Sequence, residues 1–321
     1  MILLTGASGF VGQALLAPLR QRHRIRIVVR DTRAAPCPQG VAIVQASLST
    51  DQDWSAALSG VDVVVHCAAR VHIMNDVVAD PLAEFRRVNV AGTLHLARQA
   101  AQAGARRFVF LSSIKVNGER TLPGMPFTAE QPPAPEDAYA ISKREAEDGL
   151  RVLAQETGME VVVIRPPLVY GPGVKANFLA MMRWLARGVP LPLGGIAENR
   201  RSLVALENLV DLVATCIEHP AAANQVFLVS DGEDLSTAAL LRRMAKALGR
   251  PARLISLPTA ALSLAAGLIG RPGLAQRLCA SLEVDIGKTK KLLAWSPPLS
   301  VDEGLRRTAE HWLNSKTGPS R

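Results

Sequence analysis

Short apolar runs alternate with longer amphipathic stretches along the first half of the chain. The runs are four to six residues long and are apolar almost throughout, which is typical of strands covered on both faces. They lie at Met1–Leu4, Ile25–Val29, Val41–Gln45, Val61–His66, Arg107–Leu111 and Val161–Ile164. Strands that alternate with helices form right-handed βαβ units. The pattern therefore predicts an α/β fold with a doubly wound, Rossmann-type parallel sheet.

Helical spacing of apolar residues continues through the whole chain, whereas the regular alternation weakens after residue 174. The predicted helices are a segment from Val11 to Leu19, Trp54–Leu58, Pro81–Ala103, a stretch after Asp137, Phe178–Arg187, Leu206–Glu218, Leu235–Leu248 and two segments within Asp285–Trp312. We expect residues 1–166 to form the sheet domain, to which residues 201–231 return. Residues 167–200 and 232–315 are expected to form a smaller, mixed C-terminal lobe, with a frayed tail at 316–321.

Composition narrows the class of protein. Of the 321 residues, 48% are apolar and 20% are charged, which allows a large buried core. The four cysteines are far apart and form no CxxC pair. This spacing argues against a zinc site or a disulfide framework and suits a reducing, cytoplasmic compartment. We therefore expect no bound metal.

The net charge of +9 comes from arginines that are scattered along the chain. No recognised nucleic-acid motif accompanies this charge, so it indicates either a solvated basic surface or a site for phosphate-bearing ligands. No run reaches the roughly 18 apolar residues that cross a membrane. The apolar run 257–270 is flanked by Arg271 and Arg277. A buried helix is favoured there over contact with an anionic membrane surface.

The first strand ends in a glycine-rich turn. Gly6, Gly9 and Gly12 are spaced as GxxGxxG, and helical spacing follows at once. Unpaired N–H groups and the positive end of the dipole make a helix N-terminus attractive to phosphate. A strand, a glycine turn and a helix in this order predict the pyrophosphate site of a dinucleotide.

The second strand ends at Arg30 and Asp31, about 20 residues after the glycines, where a dinucleotide fold meets the adenosine ribose. An acidic residue there binds the 2′-hydroxyl of NAD, whereas an arginine suits the 2′-phosphate of NADP. Arg30 holds the position and Arg33 is close, so NADP(H) is favoured over NAD. In the alternative, Arg30 only stacks on the adenine.

Three polar residues predict proton chemistry beside this cofactor. Tyr139 and Lys143 are four residues apart on a predicted helix and share one face, and Ser113 follows the fifth strand. Hydride transfer at an alcohol carbon needs a group that handles the hydroxyl proton. A tyrosine with its ordinary pKa of about 10 is a poor base, and a lysine ammonium nearby, together with the positive charge of the nicotinamide, favours the phenolate. We predict Tyr139 as the acid/base, Ser113 as a hydrogen-bond donor and Lys143 as the activating group.

Eight segments together resemble the extended short-chain dehydrogenase/reductases, within the nucleotide-sugar epimerase/dehydratase family that includes UDP-glucose 4-epimerase-like enzymes. They are TGASGFVG (Thr5–Gly12), VVVHCAA (Val63–Ala69), VNVAGT (Val88–Thr93), LSSIKVNG (Leu111–Gly118), YAISK (Tyr139–Lys143), RPPLVYGPG (Arg165–Gly173), RRSLVALENLVD (Arg200–Asp211) and KTKKLLAWSP (Lys288–Pro297). The resemblance covers nearly the whole chain. It implies an NAD(P)-dependent oxidoreductase that acts at C4 of a UDP- or dTDP-sugar, with the smaller lobe closing over the substrate.

The resemblance also implies roles for particular residues. The family's catalytic residues fall on Ser113, Tyr139 and Lys143, and its diphosphate-binding arginine falls on Arg201. The predicted cofactor contacts are Gly6, Ser8, Gly9, Phe10, Val11, Gly12, Arg30, Asp31, Ser47, Leu48, Ala68, Ala69, Arg70, Asn89, Ser112, Tyr139, Lys143 and Pro166. The predicted substrate contacts are His72, Ser113, Val116, Asn177 and Arg201.

Three positions depart from the family pattern. Ser47 replaces the aspartate usual after the third strand, Asn117 replaces the tyrosine of VYG, and Arg30 displaces the acidic residue to Asp31. The loop RVHIMND (residues 70–76) resembles a branch that acts on UDP-N-acetyl-hexosamines, including 4-keto-6-deoxy-sugar reductases. Because Arg30 suits an exchangeable NADPH, a 4-keto-reductase is favoured. The alternative is a UDP-sugar 4-epimerase with tightly held NAD.

Two other functions are less favoured. A 4,6-dehydratase uses an Asp-Glu pair after the catalytic serine, where this chain has Ile114 and Lys115. A cofactor-binding regulatory protein without turnover is possible on this fold, but Ser113, Tyr139 and Lys143 argue against it. The family also implies a homodimer formed through the helices that hold Asn89 and Tyr139.

Overall fold

A seven-stranded sheet in which all strands run parallel dominates the structure, a computed structural model that describes residues 1–32, 40–71, 80–262 and 278–317. The strands are β1 (Ile2–Thr5), β2 (Ile25–Val29), β3 (Ala42–Gln45), β4 (Val63–His66), β5 (Arg107–Leu111), β6 (Glu160–Arg165), β7 (Leu168–Tyr170), β8 (Arg201–Ala205), β9 (Val226–Leu228) and β10 (Asp234–Leu235). The order in the large sheet is β3-β2-β1-β4-β5-β6-β9. Strand order reverses between β1 and β4, where ligands of such sheets bind.

Helices cover both faces of this sheet. They are α1 (Phe10–Arg20), α2 (Ser55–Leu58), α3 (Pro81–Phe85), α4 (Thr93–Gln102), α5 (Ala138–Thr157), α6 (Ala176–Ala186), α7 (Leu206–Glu218), α8 (Thr237–Ala247), α9 (Gly287–Leu293) and α10 (Val301–Thr317). Alternate residues of β1 enter different cores: Ile2 and Leu4 pack with Leu15 of α1 and with α7, whereas Leu3 packs with α4 and α5. The predicted doubly wound sheet is confirmed.

The long helix predicted at Pro81–Ala103 is interrupted. A π-helical segment at Arg86–Gly92 separates α3 from α4, and it contains the buried Asn89. A wide turn of this kind is frequent at functional sites. Periodicity does not reveal it, because one extra residue in a single turn changes the apolar spacing too little.

A second, three-stranded sheet has the order β10-β8-β7 and was not predicted as a sheet. Within the segment 201–231, β8 joins this smaller sheet, whereas β9 joins the large one. A third apolar cluster packs around the small sheet and contains residues of α6, α8 and α10. The exact division into lobes stays a prediction.

Within the described ranges, no helix is long and apolar enough to cross a membrane. Most of the apolar run 257–270 lies outside the described residues, as do Arg33, His72 and residues 318–321 of the tail.

Candidate active site

The glycine turn has the geometry of a phosphate cradle. Gly6 has φ +72°, and a Cβ there would lie 2.7 Å from the backbone nitrogen of Ala68. A Cβ at Gly12 would overlap the carbonyl oxygen of Gly6. Gly9 caps α1 without a side chain, and the first turn of the helix carries no acidic residue. The turn therefore fits the diphosphate of a dinucleotide, because its N–H groups are not covered by a side-chain cap.

The carboxyl ends of four neighbouring strands bring the predicted site residues to one edge. Thr5 of β1 lies beside Val28 of β2 and His66 of β4, and His66 lies beside Phe110 of β5. The residues that follow these strands include Gly6, Arg30, Ala68 and Ser113. Their common edge adjoins the reversal of strand order, as expected for a dinucleotide site.

Ser113 begins a short 3-10 turn, Ile114–Val116, directly beyond β5. Its Oγ accepts a hydrogen bond from the backbone N–H of Lys115 at 3.3 Å. The Ile114 N–H donates to the Pro166 carbonyl at 3.0 Å and ties the turn to the end of β6. The Ser113 side chain is only half-buried, so its hydroxyl is held in a fixed turn and remains accessible.

Tyr139 lies in the first turn of α5, which Asp137 caps by accepting the Ala140 N–H at 2.7 Å. Its ring packs edge-on against Phe85 at a centroid distance of 6.1 Å. Within the described part of the chain its hydroxyl makes no hydrogen bond. Burial, and then the charge of Asp137, raises the pKa of Tyr139 to about 12.

Lys143, the partner predicted for Tyr139, is also buried; the expectation that Lys143 and the nicotinamide together favour the Tyr139 phenolate stays a prediction. Lys143 is only 2% exposed, and its Nζ lies 4.2 Å from the centroid of the Phe110 ring. Burial lowers the pKa of Lys143 to about 8, although Glu147 and Cys67 oppose this. Lys143 thus lies over the ends of β4 and β5, and in the protein alone the desolvation of Tyr139 exceeds any stabilisation of its phenolate.

A buried polar network lies beneath these residues and was missed from the sequence. The Ser112 hydroxyl donates to Glu147. Arg165 of β6 pairs with Glu147 at 2.5 Å and donates to the Asn117 Oδ1 at 2.9 Å. The Asn117 amide donates to the Thr128 carbonyl at 2.9 Å. Asn117, a departure from the family pattern, therefore connects the network to the loop before α5.

The position of Glu147 could have indicated this network. It follows Lys143 by four residues on the same helix, so both side chains share the inner face. A carboxylate on a buried face needs a cation or several donors. Arg165, at the end of a buried strand, is the cation that meets this need.

Asn89 fixes the segment that follows β4. Its amide donates to the Arg70 carbonyl and to the Ser142 hydroxyl, both at 3.0 Å, and its Oδ1 accepts the Arg70 N–H at 2.8 Å. The Arg70 guanidinium lies 5.7 Å from the centroid of the Phe85 ring. The π-helical segment thus connects Arg70 to the helix of Tyr139 and Lys143 through Ser142.

The other residues predicted to contact cofactor or substrate differ in their exposure to solvent. Exposed positions are Ser8, Gly9, Arg30, Asp31, Ser47 and Asn177; partly buried positions are Phe10, Val11, Leu48, Ala68 and Ala69. Ser112, Val116 and Pro166 are buried. Ser112 directs its hydroxyl to Glu147, and Val116 has no exposed surface. Their roles as ligand contacts stay predictions.

Arg201 lies apart from these strands, on β8 of the smaller sheet. Its guanidinium donates to the Ala280 carbonyl at 2.9 Å, and burial lowers its pKa. Among the described residues, no group of three or more His, Cys, Asp or Glu side chains could hold a metal.

Comparison with known proteins identifies the family. The profile of the NAD dependent epimerase/dehydratase family matches residues 2–230. The chain is also 48% identical over 314 residues to a UDP-glucose 4-epimerase from Vibrio cholerae, covering 98% of this chain and 96% of that protein. The chain belongs to the NAD dependent epimerase/dehydratase family. As a member of this family it is an NAD-binding enzyme.

Solved structures of epimerases share the fold. A UDP-glucose 4-epimerase from Thermotoga maritima with UDP-glucose has a TM-score of 0.76 at 22% identity, covering 98% of this chain and 99% of that chain. A UDP-N-acetylglucosamine 4-epimerase from Methanobrevibacter ruminantium in complex with UDP-N-acetylmuramic acid has a TM-score of 0.79 at 21% identity, covering 98% of both chains. The expected family and fold are confirmed.

Proposed function

We propose that the protein is a 4-epimerase of UDP-sugars that keeps NAD bound through the catalytic cycle. The observation that carries the proposal is the placement of Ser113, in the turn beyond β5, and Tyr139, in the first turn of α5, on elements that the Lys115–Asp137 ion pair joins. They lie at the carboxyl edge of the large sheet, which also holds the glycine turn. The relative from Vibrio cholerae, named a UDP-glucose 4-epimerase, supports this activity over the 4-keto-reductase favoured from Arg30.

Each residue of the site has a defined task in the proposed reaction. Tyr139 accepts the proton of the C4 hydroxyl and later returns it, and Ser113 donates a hydrogen bond to the same oxygen. The buried Lys143 contributes positive charge from the inner face of α5. Bound NAD supplies the acceptor for the C4 hydrogen and a positive charge. Since burial raises the pKa of Tyr139 to about 12, proton transfer requires that additional charge.

The substrate is proposed to be a UDP-hexose or UDP-N-acetyl-hexosamine. Arg201 is a suitable ligand for the diphosphate, since a partly buried guanidinium binds phosphate oxygens strongly. Asn177, exposed at the start of α6, would contact the same substrate. Residues 167–200 and 232–315 would then form the lobe that encloses the sugar, while residues 1–166 and 201–231 hold the cofactor.

A 4-keto-reductase that uses NADPH is the second candidate. Arg30 is exposed at the end of β2 and leaves its guanidinium accessible to a 2′-phosphate, while Asp31 follows directly. An exchangeable NADPH would give net reduction of a 4-keto sugar instead of epimerisation. We also propose a homodimer paired through the helices of Asn89 and Tyr139, which sedimentation of the purified protein would test.

The nucleotide carried by purified protein separates the two functions. The protein is denatured, and the released nucleotide is identified by mass. The protein is also incubated with UDP-glucose and with UDP-N-acetylglucosamine. We expect NAD in about one-to-one ratio and the corresponding 4-epimers as products. A protein that is empty, binds NADPH more tightly than NADH and reduces a UDP-4-keto sugar would overturn the epimerase in favour of the reductase.

A further inference from the structure

Lys115 connects the two elements that carry Ser113 and Tyr139. It lies two residues after Ser113, in the turn Ile114–Val116. Its Nζ lies 2.5 Å from a carboxylate oxygen of Asp137, which precedes Tyr139 by two residues. The ion pair therefore spans the gap between the turn beyond β5 and the N-terminus of α5.

Asp137 affects Tyr139 in two ways. One carboxylate oxygen accepts the Ala140 N–H at 2.7 Å and fixes the first turn of α5. The negative charge of the same carboxylate raises the pKa of Tyr139, as a smaller effect than burial. A cation that offsets this charge makes it easier for Tyr139 to release its proton.

We propose that Lys115 is a positioning residue for the reaction, which acts on Tyr139 through Asp137. The ion pair holds the Tyr139 end of α5 against the Ser113 turn and offsets a negative charge that opposes the phenolate. The inference rests on the proposed function, in which Tyr139 exchanges a proton with the substrate. It gives Lys115 a task that differs from that of the acidic pair expected at this point of a dehydratase.

Several other charged groups surround Tyr139, and a test must separate them from the Lys115–Asp137 pair. They are Lys143 on the same helix, Glu119 at 2.8 Å from the Lys115 Nζ, and Arg70 and Glu84, paired at 3.5 Å behind the Phe85 ring. Among the described residues, Asp137 is the one whose charge shifts the Tyr139 pKa. Variants of this pair therefore change the nearest charge and leave the others in place.

Two single variants are expected to shift Tyr139 in opposite directions. Lys115→Met removes the positive charge that lies against Asp137, so the Tyr139 pKa should rise by about half a unit or more. Asp137→Asn keeps an oxygen that caps Ala140 but removes the charge, so the pKa should fall by a similar amount. Lys115→Arg should restore the behaviour of the wild type.

A matched control breaks a similar ion pair elsewhere. Lys288 lies 3.0 Å from Glu130, and its side chain is exposed to a similar degree as that of Lys115, 26% against 34%. Lys288→Met is expected to leave the Tyr139 pKa and the pH profile of turnover unchanged. A loss caused merely by weakening the loop before α5 would appear in this variant as well.

The readout is an NMR titration of the full chain with NAD added, labelled at the Cζ atom of tyrosine. The chain has two tyrosines, so Tyr139→Phe assigns both resonances. Opposite shifts for Lys115→Met and Asp137→Asn, with matching shifts in the pH profile of turnover, support the proposal. Shifts in the same direction, or none, overturn it. If the two NMR shifts oppose each other but the wild type converts no UDP-sugar, Lys115 still tunes Tyr139 and the proposed function is refuted.

Discussion

The two tyrosines of this chain lie in regions that use the same side chain differently. Tyr139 is partly buried at the edge of the large sheet, and its hydroxyl makes no hydrogen bond with the described residues. Tyr170 ends β7 in the smaller sheet and is fully buried, and its hydroxyl donates to Asp231 at 2.8 Å and to the Val301 carbonyl at 3.3 Å. The Tyr139 hydroxyl is therefore available for chemistry, whereas the Tyr170 hydroxyl holds β7 to α10.

The two regions also stabilise a buried carboxylate differently. Glu147, beneath the Tyr139 region, pairs with the buried guanidinium of Arg165. Asp231, beneath the Tyr170 region, accepts hydrogen bonds from neutral donors at Ala205, Asn208 and Tyr170. Glu147 thus has an opposite charge beside it, whereas at Asp231 burial raises the pKa and the neutral donors only partly oppose this. We therefore expect substitutions in the Tyr139 region and in the Tyr170 region to differ in their effects on turnover, on stability and on the pH dependence of stability.

The largest expected effect is on activity, from Tyr139→Phe. The change removes the group that exchanges the substrate proton, so turnover should fall by about 10²- to 10⁴-fold. No hydrogen bond to the described residues is lost, so the free energy of unfolding should change by less than about 0.5 kcal/mol. Denaturant unfolding and a turnover assay on the same preparation test both statements. Turnover close to that of the wild type would remove Tyr139 from the chemistry.

The next effect is on stability, from Glu147→Gln. Because the change leaves Arg165 buried without its carboxylate, it should destabilise the fold by about 3–5 kcal/mol. Glu145→Gln, on the same helix, breaks the more exposed pair with Arg86 and serves as the control with a much smaller loss. Equal losses of unfolding free energy in the two variants would show that the buried Glu147–Arg165 pair contributes no more to stability than the exposed pair does.

Tyr170→Phe should lower stability by less than Glu147→Gln does. In contrast to Tyr139→Phe, it should lower stability and leave turnover unchanged. It leaves one carboxylate oxygen of Asp231 without its hydrogen bond, at a cost of about 1–3 kcal/mol. Turnover at a temperature where the variant is folded should equal that of the wild type. A large loss of turnover in the folded variant would contradict the purely structural role of this region.

The smallest effect concerns the pH dependence of stability. Burial raises the pKa of Asp231 above its ordinary value of 3.8, although three hydrogen bonds partly oppose this. The folded state then binds the proton more tightly than the unfolded state, so this group's contribution to stability falls as the pH rises from 3.8 through the folded-state pKa. Asp231→Asn should remove this slope. An unfolding free-energy difference between wild type and variant that stays constant from acid to neutral pH would contradict the raised pKa.

Sequence reasoning succeeded where a pattern repeats and where a turn needs a particular residue. The apolar runs gave the core strands of the large sheet, and Gly6 and Gly12 occupy positions that a Cβ would obstruct. The helix predicted after Asp137 begins at Ala138, with Asp137 as its cap. These features depend on residues that are near each other in sequence, so spacing alone reveals them.

The features that sequence reasoning missed depend on contacts between segments that are distant in sequence. The partners Glu147 and Arg165 are 18 residues apart, and Tyr170 and Asp231 are 61 apart. Strands β7 and β10 have only 3 and 2 residues, too few for a period, so only their pairing with β8 defines the smaller sheet. The desolvation of Tyr139 also depends on distant segments, since the sequence shows Lys143 one turn away but not how strongly burial raises the pKa of the phenol.

The most direct test follows the hydrogen at C4 of the substrate. UDP-glucose that carries deuterium at C4 is incubated with protein holding its own nucleotide, and the product is analysed by NMR and mass. We predict UDP-galactose that retains the deuterium at C4 for the wild type, and conversion that is about 10²- to 10⁴-fold slower for folded Tyr139→Phe. Conversion by Tyr139→Phe at the wild-type rate, or a product in which solvent hydrogen has replaced the deuterium, would contradict an epimerase that works through Tyr139.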